Sequence, residues 1–156
     1  MPVMAREAVF STWNTARAWS PARLYLLLSG VWLIVVAGMV GFIYNTDFAI
    51  DTQPGSSSHI FGVLETNGWH NLAGLLGGLA ALGLALNPAT ARFGALSLGV
   101  VYLILTVALV IWEPSTFLIE SNLADNVVHG LLGIAGVASA IATRSTRGPP
   151  SVPHED

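Results

Sequence analysis

The sequence contains no cysteine and no lysine, and only 10% of its 156 residues are charged. The absence of cysteine excludes disulfides, thiolate metal sites and cysteine nucleophiles. The shortage of charge accompanies 53% hydrophobic residues and a mean hydropathy of +0.65, which leaves too little polar surface to cover a soluble globule of this size. The composition therefore indicates a membrane protein.

Four apolar runs are long enough to cross a bilayer, because a helix rising ~1.5 Å per residue needs about 20 residues to span ~30 Å of hydrocarbon. Each run must be helical, since lipid offers the backbone no hydrogen-bonding partners. The runs are Leu24–Tyr44, Asn67–Leu86, Phe93–Trp112 and Ala124–Thr143. We therefore predict an all-α fold, a four-helix transmembrane bundle in a single membrane domain over residues 23–143.

Three of the segments outside the predicted spans have informative compositions. Residues 1–22 carry apolar residues at helical spacing among arginines, which indicates an interfacial helix, with a disordered arm as the alternative. Residues 144–156 are polar and rich in proline, which is typical of a disordered tail. The loop 45–66 has the sequence PGSSS at its centre, and we expect it to turn flexibly there.

The six basic residues, all arginines, set the expected orientation. With four spans, every arginine falls on the same side of the membrane, and the positive-inside rule makes that side the cytoplasm. Both termini are then cytoplasmic and the loop 45–66 is exterior. The first run is too long for a signal-peptide core and lacks a clear cleavage site, so we expect a retained span.

The chain also contains an internal repeat. Four residues of the second span recur in the fourth at a constant separation of 59 positions: Asn67, His70, Gly74 and Gly77 match Asn126, His129, Gly133 and Gly136. In the first and third spans, Arg23 and Gly30 match Arg92 and Gly99 at a separation of 69 positions. These matches predict two related helical hairpins in parallel orientation.

The repeated residues are expected to share one face of each helix, because offsets of three, four and seven positions correspond to one or two turns. Small residues in membrane helices favour close helix contacts, so we predict a polar and small-residue stripe at a helix–helix interface. His70 and His129 lie at matched depth near the exterior face. Glu65 and Asp125 precede or begin their helices, where the positive end of the helix dipole favours acids.

Two segments, NGWHNLAGLLGGLAAL at 67–82 and NLADNVVHGLLG at 122–133, resemble the bacterial membrane family DUF4383, which is common in actinobacteria. The resemblance covers roughly residues 24–143. It implies a four-helix protein of the bacterial cytoplasmic membrane and supplies no reaction. That family commonly carries a second histidine four positions after the first, where this chain has Gly74.

We favour a non-enzymatic structural or accessory component of a membrane complex, in which His70 and His129 hydrogen-bond across the helix interface. The expected partners are the lipid bilayer and other membrane-protein subunits or a second copy of the chain, with no nucleic acid. No cofactor is expected. No catalytic residue is expected either, because no serine lies at the depth of the histidines to form a nucleophile–base pair with them.

Two alternatives remain open. In the first, His70 and His129 bind a metal or serve as the axial ligands of haem b, which would make the chain a membrane redox protein. In the second, the chain is a small transporter, although no charged residue lies near the middle of any span, where ion pathways usually need one.

Overall fold

The computed structural model describes residues 19–49, 58–112 and 121–143. Most of the predicted N-terminal arm, residues 54–57 of the PGSSS centre and the predicted C-terminal tail lie outside the described residues. Four helices are each long and apolar enough to cross a membrane: α1 (Pro21–Tyr44), α2 (Gly68–Leu86), α3 (Pro88–Ile111) and α4 (Leu123–Ala142). The prediction of a four-helix transmembrane bundle is thereby confirmed.

Each helix begins at a residue whose side chain caps it. The Ser20 hydroxyl accepts a hydrogen bond from the Arg23 N–H at 3.3 Å, and Pro21 occupies the first helical position, where no donor is needed. In the same way Asn87 caps α3 and Pro88 begins it. This is why α3 begins five residues before Phe93, the start that hydropathy predicted.

Helix α1 changes its hydrogen-bonding pattern along its length. It is α-helical over Pro21–Trp32, π-helical over Leu33–Val40 and α-helical again over Gly41–Tyr44. π-Helical segments are rare and are found frequently at functional sites. The first half of α1 packs against all three other helices, whereas the π-helical half packs mainly against α2.

The loop 45–66 contains regular structure that the sequence analysis did not predict. Strands β1 (Ser58–Ile60) and β2 (Leu64–Thr66) form an antiparallel two-stranded sheet in which Ile60 pairs with Leu64. The connecting turn places Phe61 at φ 53° and Gly62 at φ 73°. Glycine adopts such a positive φ without steric cost, and it therefore allows the chain to reverse here.

Glycines bring the backbones together within each of the two helical hairpins, which are α1 with α2 and α3 with α4. A Cβ atom added at Gly78 of α2 would lie 2.8 Å from the Gly30 carbonyl oxygen of α1. A Cβ atom added at Gly136 of α4 would lie 2.7 Å from Gly99 Cα of α3. Helices α1 and α2 therefore touch through backbone atoms, as do α3 and α4, which is the contact that small residues permit in membranes.

One end of the bundle, which we call the arginine end, carries Arg23 and Arg92. Arg23 Nε donates to the Ala85 carbonyl oxygen at 2.9 Å, and Arg92 Nε donates to the Ala140 carbonyl oxygen at 3.1 Å. In each helical hairpin, an arginine of the first helix thus satisfies a carbonyl in the last turn or so of the second helix. The buried core at this end consists mainly of alanines: Ala22, Tyr25, Leu26, Ala81, Ala85, Ala91, Ala95 and Ala140.

The opposite end, which we call the hairpin end, carries β1 and β2 and is held by a buried polar cluster. The Asn71 side chain of α2 is fully buried, accepts from the Thr66 hydroxyl and donates to the Asn45 carbonyl oxygen at 2.7 Å. Asn45 Nδ2 in turn donates to the Thr66 carbonyl oxygen at 3.0 Å. The cluster of Asn45, Thr66 and Asn71 therefore ties the end of α1, strand β2 and helix α2 together.

Large apolar side chains cover the outer surface of the bundle. Residues on all four helices are more than half exposed, among them Leu28, Ile43, Leu79, Val110, Leu131 and Ile141. A contiguous apolar surface of this kind is unfavourable in water and is suited to contact with lipid tails. The protein is therefore a membrane protein, as its composition indicated.

Candidate functional site

His70 lies in the first turn of α2, where hydrogen bonds fix both its backbone and its ring. Asn67 caps the helix by accepting from the His70 N–H at 2.8 Å. The ring nitrogen Nδ1 lies 3.0 Å from the carbonyl oxygen of Glu65 in β2. Because a carbonyl oxygen only accepts, Nδ1 is the donor, and in the neutral ring the other nitrogen, Nε2, is an acceptor.

Asp125 connects the β-hairpin to the start of α4. Its Oδ2 accepts from the Asn122 N–H at 3.0 Å, which forms a capping box with the Asn122 side chain. The same oxygen accepts from the Glu65 N–H at 2.9 Å, and Asn122 Nδ2 donates to the Val63 carbonyl oxygen at 2.8 Å. The side chains of Asn122 and Asp125 therefore fix the β-hairpin against α4.

His129 lies one turn beyond Asp125 on α4 and is buried, with 7% of its surface exposed. Its ring centroid lies 6.1 Å from that of His70 and 5.3 Å from that of Tyr102 on α3. Its Nδ1 is buried and has no hydrogen-bond partner among the described residues. A buried polar atom without a partner costs roughly 1–3 kcal/mol, so an added hydrogen-bonding group would be favourable here.

A cavity of about 530 Å³ lies between the two helical hairpins. His70, Asp125 and His129 line it at the hairpin end, where Ile60 and Leu64 of the β-hairpin also face it. Apart from Trp32 and Tyr102, the other lining residues are aliphatic or glycine: Leu33, Val36, Ala37, Ala73, Gly74, Gly77, Leu98, Val101, Leu105, Ala108, Leu109, Val128 and Leu132. The cavity thus has polar groups at one end and apolar walls along the rest.

The four glycines of the predicted stripe lie in two different environments. A Cβ atom at Gly74 would lie 2.6 Å from Ala37 Cβ, and one at Gly133 would lie 2.7 Å from Leu103 Cγ, so both of these glycines, like Gly136, lie in helix contacts. Gly77 makes no such contact: it lines the cavity, as Gly74 also does, and the nearest atom to an added Cβ atom is Leu33 Cδ1 at 4.0 Å. The close contact with α1 is made by Gly78, one position further along α2.

The asparagines and acids of the predicted stripe also differ in position. Asn67 caps α2, whereas α4 is capped by Asn122, so Asn126 lies one turn inside the helix and its buried Oδ1 has no partner among the described residues. Asp125 lies in the first turn of α4, as predicted for a helix-start acid. Glu65 instead belongs to β2 and lies before the first turn of α2.

Several residues that build the site were not among the predicted site residues. Tyr102 packs against His129 with its ring tilted, Asn122 caps α4, and Thr66 donates a hydrogen bond to Asn71. The first two carry recognisable sequence features: an aromatic residue in an aliphatic span, and an asparagine three positions before an acid at a helix start. Thr66 carries no such feature, because its contact depends on the β-hairpin.

The fold and this site define a polytopic membrane protein with an internal cavity that is polar at one end. The chain belongs to the family described as Domain of unknown function (DUF4383), whose family model matches residues 13–142. No curated protein and no solved structure matches the chain. The resemblance noted in the sequence is confirmed, and the family description names no activity.

Proposed function

We propose that this protein is a non-enzymatic accessory component of the bacterial cytoplasmic membrane that binds an amphipathic small molecule in its central cavity. The observation that carries the proposal is the cavity of about 530 Å³ with His70, Asp125 and His129 at one end. Its volume falls within the range of roughly 300–1,000 Å³ that small-molecule sites occupy. A mostly apolar wall with a few convergent polar groups is also the usual composition of such sites.

The distribution of polar groups supports a ligand with a polar head and an apolar body. Along α2, the lining residues change from His70 at the hairpin end to Ala73, Gly74 and Gly77 deeper in the bundle. The seven positions from His70 to Gly77 correspond to about 10 Å along the helix axis. A molecule that places its polar head near His70 would therefore have its apolar body against small and aliphatic side chains.

The surroundings of the cavity support binding rather than chemistry. Its described lining residues include no serine, threonine or cysteine, so it offers no aliphatic hydroxyl or thiol nucleophile. The β-hairpin covers the polar end and is fixed by Asp125 and Asn122. This arrangement suits a site that holds a ligand out of contact with water.

Photolabelling tests this proposal in lipid nanodiscs. A diazirine placed on the chain of dodecan-1-ol, or of its methyl ether, is expected to label cavity-lining peptides in a saturable way. Gly77→Leu should remove most of that labelling, because its side chain extends into the cavity without displacing a neighbouring backbone. The matched control is Gly83→Leu on the same helix, where an added Cβ atom meets nothing within 4 Å and labelling should persist.

The outcomes separate binding from simple partition into lipid. Equal labelling of cavity-lining residues and of lipid-facing residues such as Leu79, by both probes, would show that the cavity is not a binding site. Undiminished cavity labelling in Gly77→Leu would contradict the proposal in the same way.

A second candidate function, a haem-binding redox protein, is favoured by one distance. The centroids of His70 and His129 are 6.1 Å apart, and two imidazoles bound to one metal ion through bonds of about 2.0–2.1 Å would bring their centroids to roughly 6 Å. Among the described residues, no group of three or more His, Cys, Asp or Glu side chains could hold a metal ion. Haem supplies its own nitrogen ligands and is therefore the cofactor that a histidine pair could serve.

The absorbance spectrum of the purified protein distinguishes the two candidates. A Soret band that is lost in His129→Ala would establish haem binding through His129, which the redox function requires. The proposed binding function instead predicts no Soret band, both as purified and after incubation with haem.

We also propose that the arginine end and both termini lie in the cytoplasm. In this orientation all six arginines of the sequence are on the cytoplasmic side, as the positive-inside rule requires. Reporter fusions after residue 90 and at the C-terminus are expected to report the cytoplasm. A fusion after residue 55 should report the exterior. An exterior C-terminus would contradict this orientation.

A further inference from the structure

We infer that the head group bound in this cavity is a neutral hydroxyl, so that the ligand is an amphipathic alcohol that donates a hydrogen bond to His70. The inference rests on the proposed function, because it specifies the ligand of the same cavity. It depends on the hydrogen-bonding roles that the protein already assigns to the groups at the hairpin end.

His70 sets the first requirement, which is a donor on the ligand. Its Nδ1 donates to the Glu65 carbonyl oxygen at 3.0 Å, and this bond fixes the tautomer. In the neutral ring, Nε2 is then an acceptor, and the ring lines the cavity. A head group that only accepts hydrogen bonds leaves this nitrogen unsatisfied, whereas a head group with an O–H satisfies it.

Asp125 adds acceptor capacity at the same end. Its carboxyl group also lines the cavity, and its Oδ2 already accepts from the backbone N–H groups of Asn122 and Glu65. The backbone donors therefore hold the carboxyl group in place at the polar end. A ligand with a hydrogen-bond donor therefore finds a second possible acceptor there.

His129 tolerates either role and therefore does not restrict the ligand further. Its Nδ1 has no partner among the described residues, so no hydrogen bond fixes which nitrogen carries the proton. A hydroxyl has one donor and two acceptor lone pairs. It can therefore donate its single hydrogen to His70 and accept a hydrogen bond from His129. One hydroxyl thus matches both imidazoles at once.

Other head groups match less well. Ethers, esters and quinone carbonyls have no donor for His70. A carboxylate has no donor for His70 and would bring a charge into a mostly apolar cavity. An ammonium is a compact, strongly hydrated cation whose hydration the aliphatic walls cannot replace.

Competition against the cavity photolabelling tests the inference at pH 8 in nanodiscs. The unlabelled competitors are dodecan-1-ol, 1-methoxydodecane, dodecanoic acid and dodecylamine, each corrected for its partition into lipid. The alcohol is expected to compete at about tenfold lower concentration than the methyl ether, which keeps the oxygen and loses only the donor. Equal competition by alcohol and ether, or stronger competition by the acid or the amine, would overturn the inference.

Two variants of His70 separate the donor requirement from a general effect on the cavity. His70→Asn keeps a donor near the position of Nδ1 and removes the acceptor at Nε2, so the preference for alcohol over ether should disappear while the ether competes as before. His70→Gln carries its amide oxygen nearer to Nε2 and should restore part of the preference. An unchanged preference in His70→Asn would contradict the role of Nε2.

Competition measured on the wild-type protein tests the inference even if a His70 variant does not fold. Saturable cavity labelling without a preference for the alcohol overturns only the hydroxyl inference. Absence of saturable labelling by either probe overturns the proposed function itself.

Discussion

Gly136→Leu is expected to destabilise the bundle more than any other single glycine substitution in α4. An added Cβ atom would lie 2.7 Å from Gly99 Cα and 2.8 Å from the Ala95 carbonyl oxygen, both backbone atoms of α3. Neither can move aside without separating α3 from α4, which pack extensively against each other. Overpacking costs roughly 1–3 kcal/mol, and we expect the upper end of this range because backbone atoms resist displacement.

The free energy of unfolding in detergent, followed by circular dichroism, measures this effect. Gly83→Leu makes the same substitution where an added Cβ atom meets nothing within 4 Å, so it should leave the unfolding transition close to that of the wild type. Gly74→Leu and Gly133→Leu should be destabilising too, because Ala37 and Leu103 lie in the way. Equal free energies of unfolding for Gly136→Leu and Gly83→Leu would contradict the assignment of Gly136 to a helix contact.

Asn71→Leu is expected to lower the free energy of unfolding by about 2–4 kcal/mol and to release the β-hairpin. The substitution removes the acceptor of the Thr66 hydroxyl and the donor to the Asn45 carbonyl oxygen. Each buried polar group left without a partner costs roughly 1–3 kcal/mol. Amide hydrogen exchange of residues 58–66 should accelerate, because the β-hairpin then loses one of its connections to α2.

Substitutions of Thr66 provide the matched control for this cluster. Thr66→Ser keeps the hydroxyl that donates to Asn71, whereas Thr66→Val keeps the shape and removes the donor. Exchange in the β-hairpin should therefore be faster in Thr66→Val than in Thr66→Ser. Wild-type exchange and stability in Asn71→Leu would show that the buried cluster contributes nothing to holding the hairpin end.

The contacts of α2 show that helical periodicity does not predict which of two adjacent glycines touches a neighbouring helix. Gly77 and Gly78 lie three and four positions after Gly74, and both offsets fall on nearly the same helix face. The spacing alone therefore allows either glycine to touch a neighbouring helix. The structure places Gly78 against Gly30 and Gly77 at the cavity, because α1 approaches from one side of this face only.

The β-hairpin illustrates a second limit. Its strands are three residues each, too short for a period of two to stand out. Their pairing is stabilised by contacts with distant residues, including Asp125, sixty positions from Glu65. Local sequence therefore did not indicate the β-hairpin, although His70, Asp125 and His129 were all singled out as candidate site residues.

The sequence by itself determined the four spans and the family, because each of these depends on the composition and spacing of neighbouring residues. Only the tertiary structure decided that the two helical hairpins pack closely at the arginine end and leave a cavity between them toward the hairpin end. This arrangement of the two hairpins depends on contacts between residues far apart in the chain, such as Tyr25 Oη donating to the Leu132 carbonyl oxygen at 2.9 Å. It brings His70 and His129 together at the polar end of a cavity, which no local pattern encodes.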